Sequence, residues 1–243
     1  MAKKQTEEIE KVDSAIPAFV KRGDTRGMEH ITRDDIRVPR LCLAQAMSPQ
    51  LQEDQSNYIE GLKFGDAFND LTLENYGKDP LGIVVVRADK PRFVEYAPHE
   101  MGGGIVDGNV PANDPRTQFT VNEKGERVKP VATKFYDYVV LVGADLQPMA
   151  MSLKGSGLFT ARTLNGLMRM KPVPIFACRY TLTPVANTAE IGKWYTWAVK
   201  QAGFVTEEEY KAAEQAFDAW KEKAVAYDVA PPTEHVEVDS EEM

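Results

Sequence analysis

The run LGIVVVR at residues 81–87 constrains the fold more than any other segment. Ile83, Val84, Val85 and Val86 are consecutive and β-branched, a composition that disfavours helix and suits a pleated, buried surface. The segment is also too short for a buried helix, so it predicts an interior strand. Asp89, Lys90 and Pro91 follow as a turn. Residues 92–96 (RFVEY) then place Arg92, Val94 and Tyr96 on one face with Phe93 and Glu95 on the other, so the two segments predict a hairpin.

The same reasoning extends along the chain. A first strand enters through Pro39, runs over Leu41, Leu43 and Ala44, and stops at Ser48 and Pro49. Residues 135–142 (FYDYVVLV) lead through Gly143 and Asp145 into 148–153, a second hairpin. Leu158, Ala161, Leu164, Leu167 and Met168 lie at helical spacing, with Ser156 as N-cap and Lys171 and Pro172 as the stop. Two strands follow at 174–183 and 192–199, linked by a turn. Thr206 with Glu209 three residues on is a capping box. It opens a helix whose apolar face carries Tyr210, Ala213, Phe217, Trp220 and Ala224 and which ends near Tyr227. Residues 52–80 read as loop. Residues 98–133, with three successive glycines, read as a long insertion holding a small ribbon near 118–121.

Strands, a helix, two strands and a terminal helix predict a mainly β (α+β) chain. Its core is expected to be an OB-like five-stranded barrel with a helix between the third and fourth strands. Another antiparallel barrel or sandwich with a helix is the alternative. The expected organisation is a flexible leader at 1–34, a core at 35–203 containing the insertion 98–133, a helix at 204–227 and an acidic disordered tail at 228–243.

Charge is divided between these parts. The whole chain of 243 residues carries a formal −8, which argues against a polyanionic partner. Residues 134–200, however, hold eight bases against three acids, a net +5. From 204 to the end, twelve acids face three bases, a net −9. An asymmetry of this kind suits nucleic-acid binding by the core and a competing acidic tail.

Aromatic residues are interleaved with the core's bases. Stacking on aromatics with cations along the backbone is how proteins hold single strands without reading sequence. The candidate contact residues are Tyr136, Tyr138, Lys154, Arg162, Arg179, Lys193, Tyr195 and Trp197. Alternation buries Phe176, Cys178, Tyr180 and Leu182. It leaves Arg179 outward, on one proposed surface with Lys193, Tyr195 and Trp197 and with Tyr136 and Tyr138 across the sheet. Lys154, Gly155, Ser156 and Gly157 run from a strand into a helix N-terminus, where backbone N–H groups and the lysine could meet a phosphate.

Several motifs resemble uncharacterised phage-encoded proteins, some of which look like single-stranded-DNA-binding proteins of replication and recombination. They are DIRVPRL at 35–41, QAMSP at 45–49, residues 153–165, PIFA at 174–177 and GKWY at 192–195. The resemblance implies single-stranded DNA as partner and an acidic tail that docks replication or recombination proteins. Here the tail ends in Glu241, Glu242 and Met243, without the terminal aromatic of that class.

No catalytic role is expected. His30, His99 and His235 fall in the leader, the insertion and the tail, poor places for a rigid site. No zinc-protease, nucleophile-elbow or dinucleotide motif occurs. Asp66, Asp70, Asp107 and Asp114 could bind Mg²⁺ but sit in loop contexts. Cys42 and Cys178 lack metal-ligand spacing. Neither metal nor cofactor is expected. The N-terminus lacks an apolar signal region, and no run approaches about 20 apolar residues, so a cytoplasmic location without a membrane span is expected. The alternative function is a protein-interaction module acting on a host or virion partner through the terminal helix, whose apolar face could also join a homodimer.

Overall fold

The structure, a computed structural model, describes residues 26–27, 29–30, 37–98, 103–190 and 192–221. The chain divides into two compact units, Met1–Ile36 and Arg37–Met243. In the first, Arg26, Gly27, Glu29 and His30 form exposed turns. The remaining leader, His99, residues 222–227 of the expected terminal helix, the acidic tail and His235 lie outside the described residues.

The second unit is mainly β, with antiparallel sheets and two helices. A small sheet joins β1 (Leu41–Leu43), β2 (Ala67–Asn69) and β3 (Asn75–Gly77). The main sheet holds β4 (Leu81–Ala88), β5 (Arg92–Tyr96), β6 (Ile105–Asp107), β9 (Ala132–Val142), β10 (Gln147–Lys154), β11 (Cys178–Ala189) and β12 (Gly192–Phe204). A two-stranded ribbon, β7 (Thr120–Val121) with β8 (Arg127–Val128), stands apart from it. Helix α1 (Leu158–Arg169) lies between β10 and β11, and α2 (Glu207–Trp220) follows β12.

Across the main sheet the order is β12, β11, β4, β9, with β10 on the far edge of β9 and β5 and β6 beside the first half of β9. Among the described residues no sheet closes on itself, so the expected five-stranded barrel is replaced by an open seven-stranded sheet. The order of strand, helix and strand is kept, but extra pairing at both edges lets the sheet spread.

The expected hairpin of 81–87 with 92–96 does not form. Ala88 pairs with Tyr138 and Arg92 with Phe135, so β5 continues β4 along one edge of β9 instead of turning back. Asp89 keeps the chain on that edge by donating its N–H to the Asp137 carbonyl at 2.9 Å. Turn residues mark an interruption as readily as a reversal, and here the interruption is filled by β9. The hairpins β9–β10 and β11–β12 form as expected. A bulge in β11–β12 between Arg179 and Tyr180 is relieved opposite by Gly203, whose φ of 114° favours glycine.

Both faces of the sheet are covered, which is why Ile83 to Val86 are all buried. Ile83, Val85, Tyr138, Val140, Met149, Met151, Tyr180 and Leu182 pack with Ala161, Leu164 and Met168 of α1. Val84, Val86, Val139, Leu141 and Phe176 pack with α2 through Ala213, Tyr210, Phe217 and Trp220. The capping box of α2 is present as expected, with Thr206 accepting from the Glu209 N–H and Glu209 accepting from the Thr206 N–H at 2.8 Å. Arg87 fastens the other end by donating to the Trp220 carbonyl at 2.6 Å.

The insertion contributes to the main sheet. Its strand β6 joins the main sheet, and Arg116 ties Glu95 (2.5 Å), Asp107 (3.2 Å) and Asp114 (2.8 Å) together. Hydrogen bonds from Arg116 hold the Asp114 carboxyl down, to about 2. A depressed folded-state value adds stability that is complete above the ordinary value of 3.8 and disappears as pH falls through about 2. Limited proteolysis of residues 108–131 should therefore be unchanged between pH 7 and 4 and rise toward pH 2. Phe176 contacts Tyr210 and Phe217 with ring centroids 5.2 and 5.5 Å apart. Phe176→Ala should lower unfolding free energy by about 3–5 kcal/mol in urea titrations.

Candidate functional site

A groove of 470 Å³ opens where β1, the ends of β9 and β10, the start of α1 and β12 meet. Its wall includes Arg40, Cys42, Gln45, Phe135, Ser152, Lys154, Ser156, Gly157, Trp194, Tyr195 and Trp197, and no Asp or Glu among the described residues lines it.

Two long-range contacts build it. The Ala150 N–H donates to the Pro39 carbonyl at 2.8 Å, laying the chain before β1 along β10. Gln45 then binds the free edge of β12: its Oε1 accepts from the Tyr195 N–H and its Nε2 donates to the Tyr195 carbonyl, both at 3.0 Å. The side-chain amide thus takes the place of a neighbouring strand at an edge that would otherwise offer unpaired backbone groups. Thr160 of α1 adds a hydroxyl bond to the Trp197 carbonyl, farther along the same edge.

Tyr195 is fixed by its surroundings. Its ring meets Phe64 edge-on at 4.9 Å, and the Lys78 ammonium lies 5.0 Å from its centroid. The ring also rests on Gly65, where a Cβ would stand 2.5 Å from ring atoms. With φ at +91°, Gly65 is doubly required.

The cations are positioned from behind. The Asp70 carboxylate, buried just after β2, accepts from Arg37 Nη2 (2.8 Å), Arg40 Nε (2.7 Å) and the Arg40 N–H (2.6 Å). A buried carboxylate needs such partners. In return it holds Arg40 at the groove. Asp137 on β9 accepts from Arg92 Nε at 2.9 Å and from the Ser152 hydroxyl at 2.6 Å, and of these two only Ser152 lines the groove among the described residues. Lys154 is exposed, its ammonium 5.1 Å from the Phe135 ring and 5.3 Å from that of Tyr96. Residues 155–157 form a 3-10 turn that runs directly into α1, and neither segment has a side-chain cap. Ser156, the expected N-cap, instead accepts from the Trp194 indole N–H at 3.0 Å. Burial pushes the Cys42 thiol up to about 12, so it lines the groove as a neutral group. The lining offers cationic and hydroxyl donors, aromatic surface and uncapped amides.

The eight candidate residues separate. Lys154, Tyr195 and Trp197 line the groove, but Trp197 is buried in the core and has no face for a ligand to stack on. Tyr138 is buried as well. Its hydroxyl donates to Asn165 Oδ1 at 2.9 Å, and burial pushes its ionisation up. Tyr136 is half-buried against the core with the Lys134 ammonium 4.8 Å from its ring. Arg162 is exposed on α1 and Lys193 is exposed at the start of β12. Arg179 is turned to α2, where Glu209 pairs with it, so the single surface joining Arg179 to Tyr195 and Trp197 is not formed. The acids considered for Mg²⁺ are dispersed: Asp70 binds Arg37 and Arg40, Asp107 and Asp114 bind Arg116, and Asp66 accepts the Lys63 N–H.

Arg40, Gln45, Ser152 and Trp194 were not among the candidates. Arg40 had a signal in its basic neighbour Arg37 and the proline between them. Trp194 had one in its place between Lys193 and Tyr195. Gln45 had none.

These features define an antiparallel β protein with two helices and a basic, aromatic-lined groove at the edge of its main sheet. Residues 7–226 match the family described as Pam3 phage gp34-like protein, and the chain belongs to that family. No curated protein and no solved structure matches it. No helix among the described residues is long and apolar enough to cross a membrane.

Gly65→Ala should cost about 1–3 kcal/mol of stability through backbone strain alone, with further loss from the displaced Tyr195 ring. Thermal unfolding measures the first, and the change in tyrosine fluorescence follows the second.

Proposed function

We propose that this protein binds single-stranded DNA through the groove, in support of phage DNA replication or recombination. The observation that carries this reading is the groove's lining: Arg40, exposed Lys154 and Trp194 beside the uncapped start of α1, with no acid among them. A phosphate sits between the Lys154 ammonium and the amides of residues 155–157, where a helix N-terminus favours negative charge. A base rests against Trp194, whose indole is oriented by Ser156. The acidic segment 228–243 competes for the same cations and docks replication partners.

The reading as a protein-interaction module drew on the apolar face of α2. That face is occupied by Phe176 and the sheet, which leaves the groove as the better-supported binding surface.

Fluorescence anisotropy with labelled oligonucleotides, single- and double-stranded, at low and moderate salt tests the proposal. The single strand should bind more tightly, and log K should fall with log salt by about 0.7 per phosphate contacted. Lys154→Ala should weaken binding and reduce that slope by about 0.7. Trp194→Ala should remove about 1–3 kcal/mol, the contribution of one stacked base. Deleting residues 228–243 should tighten binding. Absence of measurable affinity for either form at low salt would sink the proposal.

A further inference from the structure

Helix α1 buries one side and leaves an unusual stripe on the other. Thr160, Ala161, Leu164 and Met168 face the core. Phe159, Arg162, Gly166, Arg169 and Met170 fall within about 100° of arc on the opposite side, at about 100° per residue. All five are exposed, Phe159 and Met170 at 77% each. Among the described residues, these large apolar side chains beside two arginines serve no packing purpose.

Gly166 is a second, independent sign. Glycine inside a helix is disfavoured relative to alanine, and close approach of a neighbour is the usual reason for one. Here a Cβ would meet nothing within 4 Å, so no neighbour among the described residues requires it. What the glycine leaves is a notch in the middle of the stripe.

Charge then selects the occupant. From residue 146 to 189 the sequence holds five bases and no acid, and α1 lies at its centre. The stripe also begins where the groove ends: Ser156 and Gly157 line the groove, and Phe159 is two residues further on. From Phe159 to Met170 the helix extends the path by about 16 Å.

We propose that the outer face of α1 is a second DNA-contact surface, continuous with the groove, along which a single strand leaving the groove is held. A base stacks on Phe159, Arg162 and Arg169 each neutralise a phosphate, and the notch at Gly166 lets the sugar–phosphate backbone lie close to the helix. This inference rests on the single-strand reading of the groove.

The test uses the full chain and oligothymidylates graded from about 4 to about 16 nucleotides, the span of site sizes for single-strand-binding folds. Wild-type affinity should rise with length. The double variant Arg162→Ala/Arg169→Ala should bind the shortest oligomer as wild type does, lose the gain with length, and show a salt slope smaller by about 1.4 on the longest. Phe159→Ala should weaken only the longer oligomers, by roughly tenfold. Lys154→Ala should weaken all lengths. Every substituted position on α1 is exposed, and circular dichroism checks that the fold is kept. Wild-type binding with the full length dependence retained in the double variant would overturn this inference and leave the groove reading standing. No binding of any length by wild type removes the groove reading and this one together. A change in sedimentation of the α1 variants without DNA would assign the stripe to self-association and overturn it as well.

Discussion

Strand β9 is the element on which the second unit depends. One of its edges pairs with β10 along eight residues, and the other pairs with β4 and β5 placed end to end. Its side chains are covered on both faces, Tyr138 and Val140 toward α1, Val139 and Leu141 toward α2. A strand so enclosed must have its backbone donors and acceptors met by neighbours and its side chains apolar, because water is absent from every side. The buried charge it carries, Asp137, is tolerated because Arg92 and Ser152 satisfy it. That pairing reaches the surface, since Ser152 lines the groove.

The groove follows from how the sheet ends. β12 is an edge strand, and an edge strand exposes backbone groups that invite another chain. Here Gln45 and Thr160 satisfy Tyr195 and Trp197 with side chains. Side chains are shorter than a strand is wide, so the segment after β1 and the start of α1 are drawn close to β12. They do not fill the space between, and the gap is the groove. Closing the edge and creating the concavity are one event. Arg40 and Lys154 border it because Asp70 holds the first and the aromatic rings of Phe135 and Tyr96 attract the second.

Much of the local structure was legible. The runs of β-branched residues became β4 and β9, the helical spacing of Ala161, Leu164 and Met168 became the buried side of α1, and the Thr206–Glu209 box capped α2. Each of these signals lies within a few residues of the structure it specifies. The short β2 and β3 and the collinear path of β4 and β5 were not legible, because pairing partners far along the chain impose them. Alternation told which aromatics share a face but not which face the fold covers. Trp197 therefore became core at the groove's floor, while Trp194, on the opposite face by alternation, is the more exposed of the two at the groove.

By itself the sequence determined the mainly β character, the two helices and the division of charge between a basic middle and an acidic end. Those properties are set by composition and by neighbours in the chain, where periodicity and capping operate. Tertiary structure alone decided that Gln45 meets Tyr195 across 150 positions, that Arg40 stands beside Trp194, and that Arg179 is paired away on α2. Contacts of that range depend on how the sheet is ordered and where its edges fall, and no local pattern of residues encodes either.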